Sequence, residues 1–300
     1  MSLALLFPGQ GSQSVGMGKA LCDASPAARA VFDEADRVLG FSLSRLCFEG
    51  PEDELKLTAN TQPAILTHSI AALSDLRARF PEKVEGAAFA AGHSLGEYSA
   101  DVAAGALSFA DAVALVRERG RFMQEAVPAG VGAMAAIVGL APEAVDAACR
   151  DAAQGETVAP ANYNSPEQTV IAGHAAAVAR ASEACLARGA KRAIPLPVSA
   201  PFHCALMSPA REKMTPLLAG AAFRDAALPV VTNVDAAPES DGVRLRDALV
   251  RQIDSPVRWV ETVQRLGREG VDRALEIGPG NVLAGLVRRI DKSIKVEGHA

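Results

Sequence analysis

The sequence of 300 residues has neither an excess of basic residues nor a long apolar run. Lys and Arg together number 30 and Asp and Glu 35, so the formal net charge is −5. With this balance we expect no binding to nucleic acid and no polybasic patch on a membrane. The longest uncharged runs, residues 57–74 and 193–210, contain proline and polar residues and are too polar for a membrane span.

Cysteine and histidine are also scarce, with five residues of each. The cysteines are odd in number and never spaced C-x-x-C, and no two histidines are spaced H-x-x-x-H. These spacings argue against a disulfide framework and a zinc site, so no metal is expected. Residues 1–7 lack the basic segment of a signal peptide and are followed at once by Pro8-Gly9. We therefore expect a reduced, cytoplasmic protein.

The residues that are present indicate an α/β protein with a substantial core. Hydrophobic residues make up 49% of the chain and charged residues 22%, as is usual for globular proteins. The length favours two folding units, or one large domain with an insertion. Short apolar strands alternate with longer helical patterns, which favours a mainly parallel sheet. The strands are predicted at residues 3–7, 86–91, 230–233 and 274–277, and the helices at 18–39, 52–55, 62–79 and 108–126.

The pattern changes between residues 132 and 198. Strands are predicted at 134–139, 158–162, 168–172 and 192–196, helices at 142–153 and 175–188, and a turn at 164–166. This βαββαβ order is that of a ferredoxin-like unit. We therefore predict a small domain at residues 129–198, inserted into a large domain formed by residues 1–128 and 199–300.

A candidate nucleophile lies in the segment Gly92-His93-Ser94-Leu95-Gly96. The pattern G-x-S-x-G between a strand and a helix is typical of a nucleophile elbow, in which the serine occupies a strained turn. The start of the helix then directs free backbone amides toward a developing oxyanion. The alternative is a Gly-Ser turn without chemistry. The turn Gly9-Gln10-Gly11 after the first strand could bring further amides toward the elbow.

A nucleophilic serine needs a general base, and His203 is the favoured candidate because it lies on a proline-bracketed loop. His93 adjoins Ser94 and its side chain starts in a different direction. The other histidines are assigned to a packed core position (His68), a helix cap or surface (His174) and the frayed terminus (His299). No acidic residue stands out as a third partner, and the nominal candidates are Asp235, Asp254 and Asp272.

One arginine occupies an unexpected position on the helix predicted at 108–126. A helical projection places Arg119 in the middle of the apolar arc, whereas the charged residues 117, 118, 121 and 125 fall on the opposite, polar side. A guanidinium in a core requires an anionic partner. The partner is either a buried Asp or Glu, or the carboxylate of a substrate, which the planar guanidinium binds well. A serine nucleophile with a buried arginine indicates acyl transfer from a substrate that carries a carboxylate.

Five motifs in order resemble the acyltransferase domain family of fatty acid and polyketide synthesis, and within it the bacterial malonyl-CoA:acyl carrier protein transacylases. They are Phe7-Pro8-Gly9-Gln10-Gly11-Ser12-Gln13, Gly92-His93-Ser94-Leu95-Gly96-Glu97-Tyr98, Arg119-Gly120, Ser199-Ala200-Pro201-Phe202-His203 and Glu276-Ile277-Gly278-Pro279-Gly280. The resemblance covers nearly the whole chain. It implies an α/β-hydrolase-like large domain with a ferredoxin-like small domain.

The resemblance also implies roles for the site residues. Ser94 would carry the malonyl group, His203 would act as base and then acid, and Arg119 would bind the malonyl carboxylate. The backbone amides of Gln10 and Leu95 would form the oxyanion hole, and the backbone carbonyl of Gln252 would orient the histidine. Gln62 and Asn162 would line the active-site cleft. The bulk of Phe202 would crowd an α-methyl group and so favour malonyl. A backbone carbonyl as orienting group would explain why no acid stands out.

The reaction implied by the resemblance is ping-pong transfer of malonyl from malonyl-CoA to the phosphopantetheine thiol of acyl carrier protein, in support of fatty acid synthesis. The CoA thioester is the substrate, no cofactor is permanently bound, and a monomer is expected. The alternatives are a serine thioesterase or acylhydrolase, and the same transfer in the service of a malonate decarboxylase or a polyketide synthase. An inactive scaffold is disfavoured because every catalytic position is filled.

Overall fold

The computed structural model describes residues 2–198 and 200–300. Met1 and Ser199, the residue at which the large domain is predicted to resume, lie outside the described residues. The strands are β1 Ser2–Phe7, β2 Ala87–Gly92, β3 Gly132–Val138, β4 Val158–Ser165, β5 Gln168–His174, β6 Arg192–Pro195, β7 Val230–Val231, β8 Pro238–Glu239, β9 Val271–Ile277 and β10 Lys295–His299.

The helices of the first half are α1 Lys19–Ala24, α2 Pro26–Leu39, α3 Leu43–Glu49, α4 Glu52–Lys56, α5 Thr58–Arg79, α6 Gly96–Ala103 and α7 Phe109–Glu125. Those of the second half are α8 Pro142–Ala153, α9 Ala175–Ala187, α10 Ser208–Gly220, α11 Gly242–Gln252, α12 Trp259–Arg268 and α13 Val282–Ile290, with short 3₁₀ turns at Pro81–Lys83 and Ala205–Met207. In the part of the chain that the structure describes, no helix is both long and apolar enough to span a bilayer.

The larger sheet has the order β10-β9-β1-β2-β7-β8, and all its pairs are parallel except β7 with β8. Successive side chains of a strand point to opposite faces of its sheet. In β1, Leu5 and Phe7 pack into one hydrophobic core, whereas Ala4 and Leu6 pack into a second one. Both faces of the sheet are therefore buried, which explains why β1 is a continuous apolar run. The predicted α/β class with a mainly parallel sheet is confirmed.

The smaller sheet is antiparallel and has the order β4-β5-β3-β6. Its strands and the helices α8 and α9 follow one another as βαββαβ, the predicted ferredoxin-like arrangement. Apolar side chains of both helices and of the sheet form a core of their own, which includes Ile137, Val145, Ile171 and Ala181. The domain boundaries at residues 128/129 and 198/199 remain our proposal.

Several helix boundaries differ from the prediction for local reasons. The helix predicted at 18–39 is two helices, because Ser25 leaves the helical conformation and its hydroxyl accepts the amide of Ala28 at the start of α2. The short helix α3 was not predicted. The turn predicted at 164–166 is wrong by about two residues, because β4 continues through Ser165 and the turn lies at 166–167.

Helix α5 begins four residues before its predicted start, although it contains Pro63. Proline has no amide hydrogen, so the carbonyl of Ala59 loses its helical donor. The guanidinium of Arg117 replaces that donor and bonds the Ala59 oxygen at 2.8 Å. A donor from the neighbouring helix α7 therefore allows the helix to continue through the proline.

The C-terminus is not frayed, so the prediction for His299 is wrong. Residues 295–299 form β10, which pairs in parallel with β9. The His299 Nε2 atom lies 3.3 Å from a carboxylate oxygen of Asp75 on α5. A short strand with two charged residues carries little hydrophobic pattern, and its pairing with a distant strand decides its structure.

His68, on α5, is a buried core histidine as predicted. Neither ring nitrogen has a hydrogen-bond partner among the described residues. Burial, with a smaller contribution from His299, lowers the pKa of His68 from 6.5 to about 4. The unfolded chain therefore binds a proton between pH 6.5 and pH 4 that the folded chain does not bind. This difference in proton binding does not lower the free energy of unfolding above pH 6.5, and it lowers that free energy progressively as the pH falls toward 4.

We expect His68→Leu to abolish this part of the pH dependence. Between pH 7 and pH 4, the free energy of unfolding of the wild-type protein should fall by roughly 3 kcal/mol more than that of the variant. Denaturant titrations of both proteins across this range measure the difference. The contributions of acidic groups, which the two proteins share, cancel in this difference. A difference that is constant over the range would contradict the assignment of His68 as a neutral buried group.

Candidate active site

The elbow lies where β2 turns into α6, and Ser94 occupies its tip with a φ of 51°. Gly92 and Gly96, which flank the elbow, allow its backbone segments to pack closely against each other and against β1. A Cβ on Gly92 would lie 1.9 Å from the carbonyl of Gly96, and one on Gly96 would lie 2.0 Å from the carbonyl oxygen of Phe7. Any larger residue at either position would force the backbone apart. The positive φ of Ser94 is the strained conformation that the G-x-S-x-G pattern predicts.

The loop after β1 packs directly against the elbow. A Cβ on Gly9 would lie 2.4 Å from the carbonyl oxygen of His93, so only glycine fits there. Gln10, the next residue, borders the same cavity as Ser94. Within residues 2–198 and 200–300, the backbone amides of Gln10 and Leu95 have no hydrogen-bond acceptor. Both amides are therefore available to a ligand.

His203 and Ser94 are in direct contact. The His203 Nε2 atom lies 2.6 Å from the Ser94 Oγ, and its Nδ1 lies 2.9 Å from the backbone oxygen of Gln252. A carbonyl only accepts hydrogen bonds, so Nδ1 carries the ring proton and Nε2 presents a lone pair to the serine. Burial, and next the charge of Arg119, lower the pKa of His203 to about 3. The ring is therefore neutral near pH 7, as a general base must be.

None of the three nominal triad aspartates has a hydrogen bond or ion pair with His203 in the described part of the chain. Their contacts are an ion pair of Asp235 with Arg251, an ion pair of Asp254 with Arg211, and acceptance of the Ser2 amide by Asp272. The position next to Nδ1 that an aspartate would take in a triad is held by the carbonyl of Gln252, at the end of α11.

Arg119 is almost completely buried, with 1% of its surface exposed, and is held by neutral groups. Its Nη1 donates to Gln62 Oε1 at 2.8 Å, and its Nη2 donates to Gln252 Oε1 at 2.8 Å and to Ser94 Oγ at 3.3 Å. Among the described residues it forms no salt bridge with a carboxylate, so a structural ion pair is not found. Burial lowers the pKa of Arg119, and the nearby Tyr98 and Glu97 oppose this. The guanidinium thus reaches the serine without a protein carboxylate bound to it.

A cavity of about 120 Å³ lies beside these groups. Seven of the nine predicted site residues line it, namely Gln10, Gln62, Ser94, Arg119, Asn162, Phe202 and His203. His93 and four apolar side chains complete the wall, the latter being Met123, Met134, Leu196 and Val198. Leu95 follows the serine at the start of α6, and Gln252 lies behind Arg119. The cavity has room for a short acyl group next to the serine.

Two buried residues that support the elbow were missed by sequence reasoning. The side chain of Asn233 accepts the Ser94 amide at 2.7 Å and donates to the carbonyl of Gly92 at 2.6 Å. Glu97, the second residue of α6, accepts the backbone amide of Asn233 at 3.0 Å. Asn233 follows β7, which is parallel to β2, and the carboxyl ends of such neighbours lie together. The position of Asn233 at the end of a predicted strand was the sequence feature that indicates its place near the elbow. For Glu97, that feature was an acidic residue inside an apolar helix.

The fold and the site define a class of protein. A mainly parallel sheet presents a serine at a strained turn, a neutral histidine is bonded to it, and a buried guanidinium lies beside it. These are features of enzymes that transfer acyl groups through a serine ester.

Comparisons with known proteins identify the family within this class. The acyl transferase domain family matches residues 4–298. The chain is 52% identical over 287 residues to the malonyl CoA-acyl carrier protein transacylase of Escherichia coli K12, covering 96% of this chain and 92% of that protein. It is also 52% identical over 294 residues to the protein of that name in Bacillus subtilis 168, covering 98% and 92%.

Comparison with solved structures points to the same family. An acyl carrier protein S-malonyltransferase of Vibrio cholerae superposes with a TM-score of 0.95 at 49% identity, covering 99% of this chain and 96% of that one. A malonyl-transacylase in complex with a type II PKS acyl-carrier protein gives the same values. The chain belongs to the acyl transferase domain family, among its malonyl-CoA:acyl carrier protein transacylases.

Proposed function

We propose that this chain transfers the malonyl group of malonyl-CoA to the phosphopantetheine thiol of acyl carrier protein, through a malonyl ester of Ser94. The observation that carries the assignment of the acyl group is the position of Arg119. Its guanidinium lies 3.3 Å from the Ser94 Oγ and is bonded to two amide oxygens. A buried cation without a carboxylate partner favours an anionic ligand, and a malonyl group attached to Ser94 supplies one.

In the first half-reaction, His203 Nε2 takes the Ser94 hydroxyl proton as the oxygen attacks the thioester carbonyl. The backbone amides of Gln10 and Leu95 stabilise the resulting oxyanion. When the carbon–sulfur bond breaks, the protonated His203 returns the proton to the departing CoA sulfur. The products are the malonyl ester of Ser94 and free CoA. The Gln252 carbonyl keeps the ring in the required tautomer throughout.

In the second half-reaction, the thiol of the carrier protein gives its proton to His203 and attacks the ester carbonyl. The Ser94 oxygen leaves and recovers the proton from His203, so the enzyme returns to its starting state. Arg119 holds the malonyl carboxylate during both steps, Gln62 and Asn162 line the cleft, and the bulk of Phe202 crowds an α-methyl group. Water must attack the ester slowly, because otherwise the enzyme would act as a thioesterase.

We assign the reaction to fatty acid synthesis in the cytoplasm. Related proteins of two bacteria carry the same transacylase name over nearly their full length. A structural relative binds a type II PKS carrier protein instead, so the partner distinguishes the two pathways. Parallel assays with a carrier protein from fatty acid synthesis and one from polyketide synthesis test the assignment. We expect faster transfer to the former.

The transfer is tested by intact-mass analysis of the enzyme after it is mixed with malonyl-CoA. We expect the mass of one malonyl group to be added, and the adduct to pass to holo acyl carrier protein faster than to water. Acetyl-CoA and methylmalonyl-CoA serve as matched acyl donors and should label the enzyme more slowly. Rapid loss of the adduct to water without transfer would establish a thioesterase instead.

A further inference from the structure

Glu97 is a buried acid one turn away from the nucleophile and has no role in the reaction described above. Its Oε2 accepts two hydrogen bonds, from Gln252 Nε2 at 2.7 Å and from the Asn233 amide at 3.0 Å. Burial raises the pKa of Glu97 to about 7, although these hydrogen bonds lower it. Through its bond to Gln252, Glu97 is linked to Arg119, although Glu97 does not line the cavity.

The contacts of Gln252 permit only one orientation of its side-chain amide. The NH₂ end faces two acceptors, Glu97 Oε2 at 2.7 Å and the Ser94 carbonyl at 2.9 Å. The oxygen end faces Arg119 Nη2 at 2.8 Å. Rotation of the amide by half a turn would place two donors against each other at Arg119 and two acceptors against each other at the Ser94 carbonyl, and it would remove the donor that faces Glu97.

We propose that Glu97 is a positioning residue, which fixes the Gln252 amide so that its oxygen holds the Arg119 guanidinium beside Ser94. The inference rests on the proposed function, since it concerns recognition of the malonyl carboxylate. The backbone carbonyl of Gln252 bonds His203 and belongs to the last residue of α11, so it does not turn with the side-chain amide. Loss of the Glu97 contact should therefore impair carboxylate recognition more than the reaction at the serine.

Two variants separate hydrogen bonding from charge. Glu97→Gln keeps an oxygen in reach of Gln252 and loses the acid, and its NH₂ takes the place of Oε1, which has no hydrogen-bond partner among the described residues. Glu97→Asp keeps the acid and withdraws it by one methylene. Asp101→Asn is the matched control, because Asp101 is a second fully buried acid on α6 and has no hydrogen bond to Gln252.

For Glu97→Asp we expect a higher KM for malonyl-CoA and a ratio of malonyl to acetyl labelling that is about tenfold lower. Glu97→Gln and Asp101→Asn should keep this ratio within about twofold of wild type. The proposal is overturned if Glu97→Asp keeps the wild-type ratio, if it slows both acyl donors equally, or if Glu97→Gln or Asp101→Asn lowers the ratio as much.

Circular dichroism and thermal unfolding show whether each variant is folded. Should Glu97→Asp fail to fold, Gln252→Leu removes the same link from its other side and leaves the backbone carbonyl in place. We expect the same loss of the malonyl to acetyl ratio, and an unchanged ratio in this variant overturns the proposal. Failure of the proposed function is a separate result, because in that case the wild-type enzyme would not accept malonyl or would not transfer it to carrier protein.

Discussion

Replacement of Ser94 by alanine is expected to abolish the malonyl-enzyme adduct and to slow transfer to carrier protein by about 10⁶-fold, as loss of the nucleophile does in serine hydrolases. No other hydroxyl is placed 2.6 Å from His203 Nε2 in the described part of the chain. Alanine and serine both carry a Cβ, so the strain at a φ of 51° is unchanged. The amide of residue 94 still donates to Asn233, and the fold should be retained.

The Ser94→Ala protein should still bind malonyl-CoA, because Arg119 keeps its two bonds to glutamine oxygens. Intact-mass analysis measures the adduct, and calorimetry with malonyl-CoA measures the binding. Ser99→Ala is the matched control, since Ser99 is a buried serine on the same helix α6. It should label as wild type does. An adduct that persists in Ser94→Ala would place the nucleophile elsewhere.

Much of the fold was predictable because its signals are local. Runs of apolar or small residues predict β1 and β2, the mainly apolar segment 274–277 predicts the end of β9, and the helical periodicity predicts α7 and α8 almost to the residue. The cap at Ser25 is a local cause of one error, whereas two larger errors have nonlocal causes. Strand β10 exists through its pairing with β9, and α5 continues through Pro63 because a donor arrives from α7. Neither the partner strand nor that donor is visible within a short window of sequence.

The residues of the site divide in the same way, into those that local patterns predict and those that only the fold brings together. The glycines around Ser94 and the position of Arg119 on its helix are local patterns, and both point to the chemistry without knowledge of the fold. Gln252 was reached only through the resemblance to a family, because a backbone carbonyl that accepts from His203 leaves no mark on the residue type. Asn233 and Glu97 contact the elbow from distant or buried positions, and no spacing in the sequence connects them.

The second large effect is expected at Arg119, where replacement by alanine should separate malonyl from acetyl transfer. A buried guanidinium that meets a carboxylate is worth about 3–4 kcal/mol, so labelling by malonyl-CoA should fall about 10²–10³-fold. Labelling by acetyl-CoA should fall by less than about tenfold, because the acetyl group has no carboxylate and loses only the weak contact to Ser94. Rates of acyl-enzyme formation with the two donors measure the separation.

Two further variants isolate the cause of this effect. Arg119→Lys keeps a charge but has a single nitrogen in place of the two that face Gln62 and Gln252, so it cannot reproduce the bidentate geometry toward a carboxylate. Its malonyl rate should lie between those of wild type and alanine. Arg121→Ala changes an exposed arginine on the same helix, which pairs with Glu118 outside the cavity, and should leave the ratio of malonyl to acetyl labelling unchanged. An equal fall for both donors in Arg119→Ala would mean that the arginine supports the serine or the fold. A fall confined to malonyl would mean that the guanidinium is kept without a protein carboxylate so that the substrate can supply one.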